Sequence, residues 1–306
     1  MDALRALADG PFSGTVTFQD VAERIEATDL GDTPGAMREA FARLLRGASA
    51  GSPPPVGSWG SIGGVDALRV PPLGDEPDED AVVVWFHGGG YVFGAPETHW
   101  RPAAALATYL GCSVLLPRYR LAPEHPWPAQ KDDALAVVRA LQDEGRRVAL
   151  AGDSAGGHLA LTTALALARD GRPGVTLALF SPNTDRTGRS HTREANSPRD
   201  PMNDDERDRA LARLAFGDRP LSDPEVSPLL DDLARLPPMH VEVGAREVLL
   251  DDGRLLAARA HAAGADVSLH VERDAFHMWQ LWTPWLPEAD ASLARAAAFL
   301  QPHLSA

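Results

Sequence analysis

Short apolar segments alternate with helix-like segments over residues 81–301, and this alternation leaves few folds open to the chain. The apolar segments are AVVVWF (81–86), CSVLLPRY (112–119), RVALAG (147–152), VTLALFS (175–181), MHVEVG (239–244) and DVSLHVE (266–272). The helix-like segments lie near 99–110, 130–144, 155–169, 249–263 and 288–301. Several apolar segments are nearly continuous, as in strands that helices cover on both faces of a parallel sheet. The sequence therefore predicts an α/β fold.

The residues before the alternating region predict a separate N-terminal part. Within residues 14–47, the segments FQDVAERIEA and PGAMREAFARLL have apolar residues at helical spacing. GASAGSPPPVG (47–57) has the composition of a connector. VGSWGSIGGVDALRV (56–70) predicts a hairpin that turns near Gly63 and Gly64. We therefore expect two helices and two more strands ahead of the alternation.

One long connection interrupts the alternating pattern after the sixth predicted strand. Residues 185–224 are polar and charged, and the part DERDRALARLAF predicts a helix with Leu211, Leu214 and Ala215 on one side. A connection of this length in a compact domain usually has a function or structure of its own. We interpret it as an inserted cap, with a surface loop lacking regular structure as the alternative.

Charge and hydrophobicity exclude several classes of partner. A formal net charge of −14 argues against nucleic acid or an anionic membrane as partner. No segment approaches the roughly 20 apolar residues that span a bilayer, and the start MDALRALADGPF lacks the basic and apolar regions of a secretory signal. The single cysteine, Cys112, lies in an apolar strand-like run and predicts an inert buried thiol. We expect a cytoplasmic protein with no membrane span.

The stretch LAGDSAGGHLA places Ser154 between a predicted strand and a predicted helix. GDSAG matches G-x-S-x-G, the nucleophile elbow, in which a sharp turn exposes the serine hydroxyl above the sheet. Side chains at Gly152 and Gly156 would collide with so tight a turn. The helix that follows directs its N–H groups and the positive end of its dipole toward the serine. The motif and its context predict a nucleophilic serine.

The stretch WFHGGGYVFG supplies candidate donors for an oxyanion. The strand ending at Phe86 is followed by His87 and three glycines, as in the H-G-G-G loops of esterases and lipases. Glycines let the backbone approach a substrate and turn its N–H groups inward. A phosphate-binding loop is the alternative, but no G-K-S/T follows and the G-x-G-x-x-G spacing is absent.

A base and an acid are expected later in the chain, in the order serine, acid, histidine. His277 follows the last predicted strand, where that order requires the base, although a packed histidine among aromatic neighbours is the alternative. His158 lies too far along the helix after Ser154 and is taken as structural. The loop after MHVEVG offers Glu247 as the acid, with Asp251 as the second choice because it falls in the next helix.

These motifs resemble those of the hormone-sensitive-lipase-like group of α/β-hydrolase esterases, which includes the bacterial carboxylesterases. The resemblance covers roughly residues 80 to 300 and is carried by HGGGYVFG, YRLAPEHPWPAQKDDA, GDSAGGHLA, SPNTD, VSPLL, VGAREVLLDDG and the His277 region. It implies the α/β-hydrolase fold, with a mostly parallel eight-stranded sheet, helices on both faces and a helical cap. Many members have Asp at the position of Glu247, and the first 50 residues match only loosely.

The resemblance also implies the roles of individual residues. Ser154, Glu247 and His277 correspond to the catalytic nucleophile, acid and base. The oxyanion hole corresponds to Gly88, Gly89, Gly90 and Ala155, with the N–H groups of the last three as donors. YRLAPEHP is a structural signature in this family, so Arg120, Glu124 and His125 are not expected to be catalytic.

The expected protein is a serine carboxylic-ester hydrolase that acts on short- to medium-chain acyl esters through an acyl-enzyme. Residues 1–50 are expected to form an N-terminal cap segment, 51–184 and 225–306 the catalytic domain, and 185–224 an inserted cap segment. No cofactor or metal is expected, because H-E-x-x-H and clustered Cys and His are absent from the sequence. The resemblance and a sheet edge near the last strand also predict a homodimer. The alternatives are a ligand-binding protein without activity, and an amidase, thioesterase or pathway-specific deacylase with the same triad.

Overall fold

Strands and helices alternate in the computed structural model, which describes residues 11–46, 57–74, 77–172 and 174–305. The strands are β1 (Ser58–Ile62), β2 (Val65–Val70), β3 (Asp78–Phe86), β4 (Cys112–Pro117), β5 (Arg147–Asp153), β6 (Val175–Phe180), β7 (Met239–Gly244) and β8 (Val267–Glu272). The helices are α1 (Phe18–Glu26), α2 (Pro34–Arg46), α3 (Pro96–Leu110), α4 (Ala129–Asp143), α5 (Ala155–Arg169), α6 (Thr192–Asn196), α7 (Asp205–Phe216), α8 (Leu250–Ala262) and α9 (Pro287–Leu304). Most of the predicted connector 47–57, and residues 1–10 and 47–50 of the predicted N-terminal cap segment, lie outside the described residues.

The eight strands form one sheet in the order β1-β2-β4-β3-β5-β6-β7-β8. β1 and β2 pair antiparallel through a turn at Gly63 and Gly64, and β2 pairs antiparallel with β4. All other neighbours are parallel. The predicted hairpin and mostly parallel sheet are therefore confirmed.

The strand order also points to where a ligand binds. From β3 the chain moves to β4 on one side and then crosses to β5 on the other side. In open α/β sheets, ligands bind at the carboxyl ends of the strands where the order reverses in this way. Here those ends are Phe86 of β3 and Asp153 of β5, which lie next to the predicted oxyanion loop and Ser154.

Both faces of the sheet are covered, which explains the continuous apolar strands. Along β3, Val82, Val84 and Phe86 face the cluster that includes side chains of α4 and α5. The alternating residues Ala81, Val83 and Trp85 face a second cluster built from α3 and α9. Because successive strand residues point to opposite faces, a strand buried on both sides needs apolar residues at every position.

The insertion, residues 185–224, contains α6 and α7. The predicted segment DERDRALARLAF is α7, and the Asp204 side chain caps it by accepting a hydrogen bond from the N–H of Arg207 at 2.8 Å. Leu211, Ala212 and Ala215 are buried on one side of the helix. The insertion therefore has regular structure, contrary to the loop alternative.

Candidate active site

Ser154 lies on the turn between β5 and α5. Its backbone has φ 55° and ψ −119°, an unfavourable conformation for a residue with a side chain. A Cβ at Gly152 would lie 2.3 Å from the carbonyl oxygen of Gly156, and a Cβ at Gly156 would lie 1.9 Å from that of Phe86. Both glycines are therefore required for the turn, as the sequence pattern predicts.

The structure brings Ser154 and His277 together across 123 positions of sequence. His277 lies in the loop after β8, and its Nε2 is 2.8 Å from Ser154 Oγ. Both residues are buried. The arrangement is that of a hydroxyl whose proton an imidazole can accept.

Glu247 is the acid nearest to this imidazole. Its Oε2 lies 3.7 Å from His277 Nδ1 and also accepts a hydrogen bond from Ser181 Oγ at 2.6 Å. Burial alone would lower the pKa of His277, but Glu247 and more distant carboxylates outweigh it and raise that pKa. The second choice, Asp251, instead accepts a hydrogen bond from the N–H of Thr192 at 3.2 Å.

The loop after β3 contributes Gly89 and Gly90 to the cavity that Ser154 also lines. Gly89 and Gly90 have φ values of 117° and 61°, which favour glycine. A Cβ at Gly89 would lie 2.3 Å from the carbonyl oxygen of Phe93. Within the described ranges, the N–H groups of Gly89, Gly90 and Ala155 have no protein acceptor.

Gly88 requires a correction to the expected oxyanion hole. Its N–H donates to Asp153 Oδ2 at 3.0 Å and is therefore not available to an oxyanion. A Cβ here would lie 2.3 Å from the same carboxylate oxygen. Gly88 thus lets the loop pass close to Asp153, and the available donors are those of the other three residues.

Asp153, which no sequence motif indicated as functional, holds the glycine loop after β3 against the elbow. Its buried carboxylate accepts hydrogen bonds from Trp85 Nε1 at 2.8 Å and from Gly88, and contacts His99 Nε2 at 3.1 Å. Burial opposes ionisation, but His99 and Trp85 outweigh it and lower the pKa of Asp153. The sequence contains a signal for this role, since an acidic residue directly before the nucleophile lies at the buried end of a strand and needs polar partners there.

A narrow cavity leads to Ser154. Leu30 and Phe41 of the N-terminal part line one side of it, and the insertion lines another. The insertion contributes Met202, Asn203, Arg207, Asp208 and Leu211. The walls of the cavity are thus built largely by the N-terminal part and the insertion.

Among the apolar side chains near the site, Met202 lines this cavity, whereas Phe12, Phe216 and Trp279 pack elsewhere. Phe12 packs against Trp282, with ring centroids 5.9 Å apart. Phe216 packs against Trp127 at 5.4 Å. Trp279 is fully buried in the core.

The residues taken as structural have structural partners. His158 Nδ1 lies 2.6 Å from Tyr91 Oη, and burial lowers the pKa of His158 to about 3. Arg120 forms an ion pair with Asp133 at 2.7 Å.

The signature YRLAPEHP also anchors the N-terminal part. Arg38 of α2 makes two hydrogen bonds to the Glu124 carboxylate, at 2.7 and 2.8 Å. The same guanidinium donates to the carbonyl oxygens of Val92 and Ala122. These contacts hold α2, and with it Phe41, beside the oxyanion loop.

Neither a metal cluster nor a membrane helix was found in residues 11–46, 57–74, 77–172 and 174–305. That part of the chain contains no group of three or more His, Cys, Asp or Glu side chains placed to hold a metal ion. None of its helices combines the length and hydropathy needed to cross a bilayer.

The elbow, the imidazole and the glycine loop at the carboxyl ends of the strands define an α/β-hydrolase. A family model described as the alpha/beta hydrolase fold matches residues 83–281, and the chain belongs to this family.

Two relatives and one solved structure align with most of this chain. An acetyl-hydrolase of Streptomyces hygroscopicus is 37% identical over 225 residues, 72% of this chain and 75% of the relative. The carboxylesterase NlhH of Mycobacterium tuberculosis is 35% identical over 244 residues, 75% of this chain and 76% of the relative. The crystal structure of an esterase from the bacterial hormone-sensitive lipase family superposes with a TM-score of 0.87 at 35% identity, covering 94% of this chain and 98% of that one.

Proposed function

We propose that this protein is a carboxylesterase-type serine hydrolase in which Ser154 is the nucleophile. The observation that carries the proposal is the 2.8 Å contact between His277 Nε2 and Ser154 Oγ, at a strained turn beside unpaired backbone donors. Relatives named acetyl-hydrolase, carboxylesterase and esterase support an ester as the bond that is cleaved.

The reaction proceeds in two halves. Ser154 Oγ attacks the ester carbonyl carbon while His277 accepts the hydroxyl proton, and the carbonyl oxygen becomes an oxyanion. When the tetrahedral intermediate collapses, the bond to the alcohol breaks and His277 returns the proton to the departing oxygen. Water then attacks the acyl-enzyme with His277 as base, and the carboxylic acid leaves as Ser154 regains its proton.

The surrounding groups stabilise the charges that form during these steps. The N–H groups of Gly89, Gly90 and Ala155 hold the oxyanion, and one such donor is worth about 3–4 kcal/mol in other hydrolases. Glu247 stabilises the imidazolium of His277 and fixes its tautomer. Their 3.7 Å separation is within reach of a hydrogen bond that tightens as charge develops.

The two segments that line the cavity are proposed to cap it. The N-terminal part (residues 1–50) supplies Leu30 and Phe41, and the insertion supplies Leu211. A narrow cavity lined mostly by apolar side chains fits a short or medium acyl chain better than a long one. The substrate class is therefore short- to medium-chain acyl esters.

Location and assembly complete the proposal. A cytoplasmic location is part of the proposal, and immunodetection in cell fractions tests it. A homodimer through β8 is supported by the position of this strand at one edge of the sheet, where Leu269 is exposed. Light scattering coupled to size-exclusion chromatography measures the mass in solution.

The function is tested with 4-nitrophenyl esters from acetate to dodecanoate and a 4-nitroanilide control. We expect the highest kcat/KM at short to medium chain length and slower anilide hydrolysis. Ser154→Ala should lose on the order of 10⁶ in kcat, as triad serines do. Turnover within tenfold of the parent would contradict the assignment of Ser154.

The same protein tests the alternative of a ligand-binding protein without activity. A fluorophosphonate probe labels only an activated serine, so we expect labelling of the parent and none of Ser154→Ala. A parent that binds acyl esters but is neither labelled nor active would favour the binding protein.

A further inference from the structure

Asp200 of the insertion contacts both loops that carry the proposed acid and base. It lies between α6 and α7 and is buried, with 7% of its surface exposed. Its Oδ2 accepts a hydrogen bond from the N–H of Val248 at 3.0 Å. Its Oδ1 accepts one from the N–H of His277 at 3.4 Å and one from the N–H of Met202 at 3.0 Å.

These three N–H groups come from three different parts of the chain. Val248 directly follows Glu247, so its N–H belongs to the peptide that leaves the proposed acid. The N–H of His277 belongs to the base itself, and Met202 lines the cavity. One carboxylate therefore joins the acid loop, the base loop and the pocket wall.

Other side chains of the insertion also bind the loop that carries Glu247 and Val248. Asn196 Nδ2 donates to the carbonyl oxygen of Glu247 at 2.9 Å. Thr192 Oγ1 donates to the carbonyl oxygen of Val248 at 3.1 Å. Asp200 is distinguished from these neutral contacts because it is ionisable and also reaches the base.

We propose that Asp200 is a positioning residue of the hydrolase, which aligns the Glu247 and His277 loops and places a second negative charge beside the imidazole. The inference rests on the proposed function, because it assigns Asp200 a role in the chemistry of His277. It makes the insertion a part of the catalytic centre as well as a wall of the pocket.

The charges around His277 give the sign of the effect. Its imidazole is faced by the carboxylates of Glu247, Asp200 and Asp153, each of which favours the imidazolium. Burial raises the pKa of Asp200 to about 6, with Glu247 adding to the increase and His277 opposing it. Above that pH the ionised Asp200 stabilises the imidazolium that forms during catalysis. Below it, Asp200 becomes neutral and that support is lost.

The test compares the pH dependence of kcat/KM for 4-nitrophenyl butyrate in the parent and in Asp200→Asn. Asparagine keeps the shape and one acceptor oxygen but removes the charge. Loss of a nearby carboxylate lowers the pKa of an imidazole by on the order of one unit. We expect the acid limb, the part of the pH profile where kcat/KM falls at low pH, to move to lower pH by about that amount. We also expect kcat at pH 8 to fall about tenfold, because the imidazolium is less stabilised.

Asp185→Asn is the matched control. Asp185 is also a buried carboxylate at the start of the insertion, and it accepts N–H hydrogen bonds from Thr187, Arg189 and Ser190 at 2.8–3.1 Å. Within the described residues it has no contact with His277 or Glu247. We expect this variant to lose stability without moving the acid limb.

A third arm uses the parent alone and stays informative if Asp200→Asn does not fold. In the parent, Asp200 and His277 titrate together. Below about pH 6, kcat/KM should therefore fall more steeply with decreasing pH than the titration of a single proton allows. A one-proton limb in the parent, or an acid limb of Asp200→Asn that coincides with those of the parent and Asp185→Asn, overturns the inference. A parent that the fluorophosphonate does not label overturns the proposed function instead.

Discussion

The nucleophile elbow and the insertion are held in place by different forces. At the elbow, Gly152 and Gly156 allow backbone atoms to approach where any side chain would collide. In the insertion, the buried guanidinium of Arg193 pairs with Asp208 and Asp252, each at 2.7 Å. The elbow forms because its glycines have no side chains that would clash, and the insertion is stabilised by buried ion pairs.

The two regions also differ in the sequence distance that their contacts span. The elbow closes within residues 152–156, whereas Arg193 and Asp252 lie 59 positions apart. The turn at Ser154 is set by its own residues and by the β3 backbone at Phe86, while the pocket wall forms only when distant side chains pair. This difference allows one catalytic scaffold to carry many pockets.

Removing the negative charge behind the base should give the largest loss of activity after that of Ser154→Ala. Glu247→Gln keeps the volume but removes the carboxylate that stabilises the imidazolium. We expect kcat to fall on the order of 10⁴, as when a triad acid becomes an amide, with little change in thermal unfolding. Steady-state kinetics and calorimetry measure both quantities. A loss of kcat below tenfold would show that Glu247 is not the acid that supports His277.

Breaking the ion pairs of the insertion should act mainly on stability. Arg193→Met leaves Asp252 buried without its cation, while Asp208 keeps the Arg186 guanidinium, and such a loss costs about 3–5 kcal/mol. Urea unfolding measures it. Arg213→Met on α7 is the control, because the Arg213 guanidinium makes no ion pair in the part of the chain that the structure describes. Equal stability of the two variants would show that charge pairing does not hold the insertion.

Filling the elbow should give a smaller loss of stability and a loss of activity. In Gly156→Ala the new methyl meets the Phe86 carbonyl, and overpacking of this kind costs about 1–3 kcal/mol. A displacement of Ser154 by about 1 Å lowers kcat/KM on the order of 10². Gly60→Ala, where a Cβ meets nothing within 4 Å, is the control. Parent-like activity in Gly156→Ala would contradict the steric account of the elbow.

Features set by local sequence patterns were predicted correctly, whereas contacts between distant segments were not. The predicted strands, the hairpin at Gly63 and Gly64, and the helix Asp205–Phe216 are confirmed, because each follows from local periodicity and turn residues. The assignment of the oxyanion hole to the loop after β3 stays a prediction, and the sequence did not indicate that Asp153 engages the Gly88 N–H. Asp200 was not considered at all, because its partners are reached only when three loops meet.

The sequence by itself determined the order of strands and helices, the sharp turn at Ser154 and the order of the proposed nucleophile, acid and base. The strands and helices follow from apolar periodicity over a few positions, and the glycines of the G-x-S-x-G motif mark the turn even though one of them, Gly156, is required by the distant Phe86 carbonyl. Only the tertiary structure decided which backbone donors remain free, which side chains line the cavity and which carboxylates face His277. Those outcomes depend on burial and on the pairing of polar groups from distant segments, and both are set only once the chain has packed.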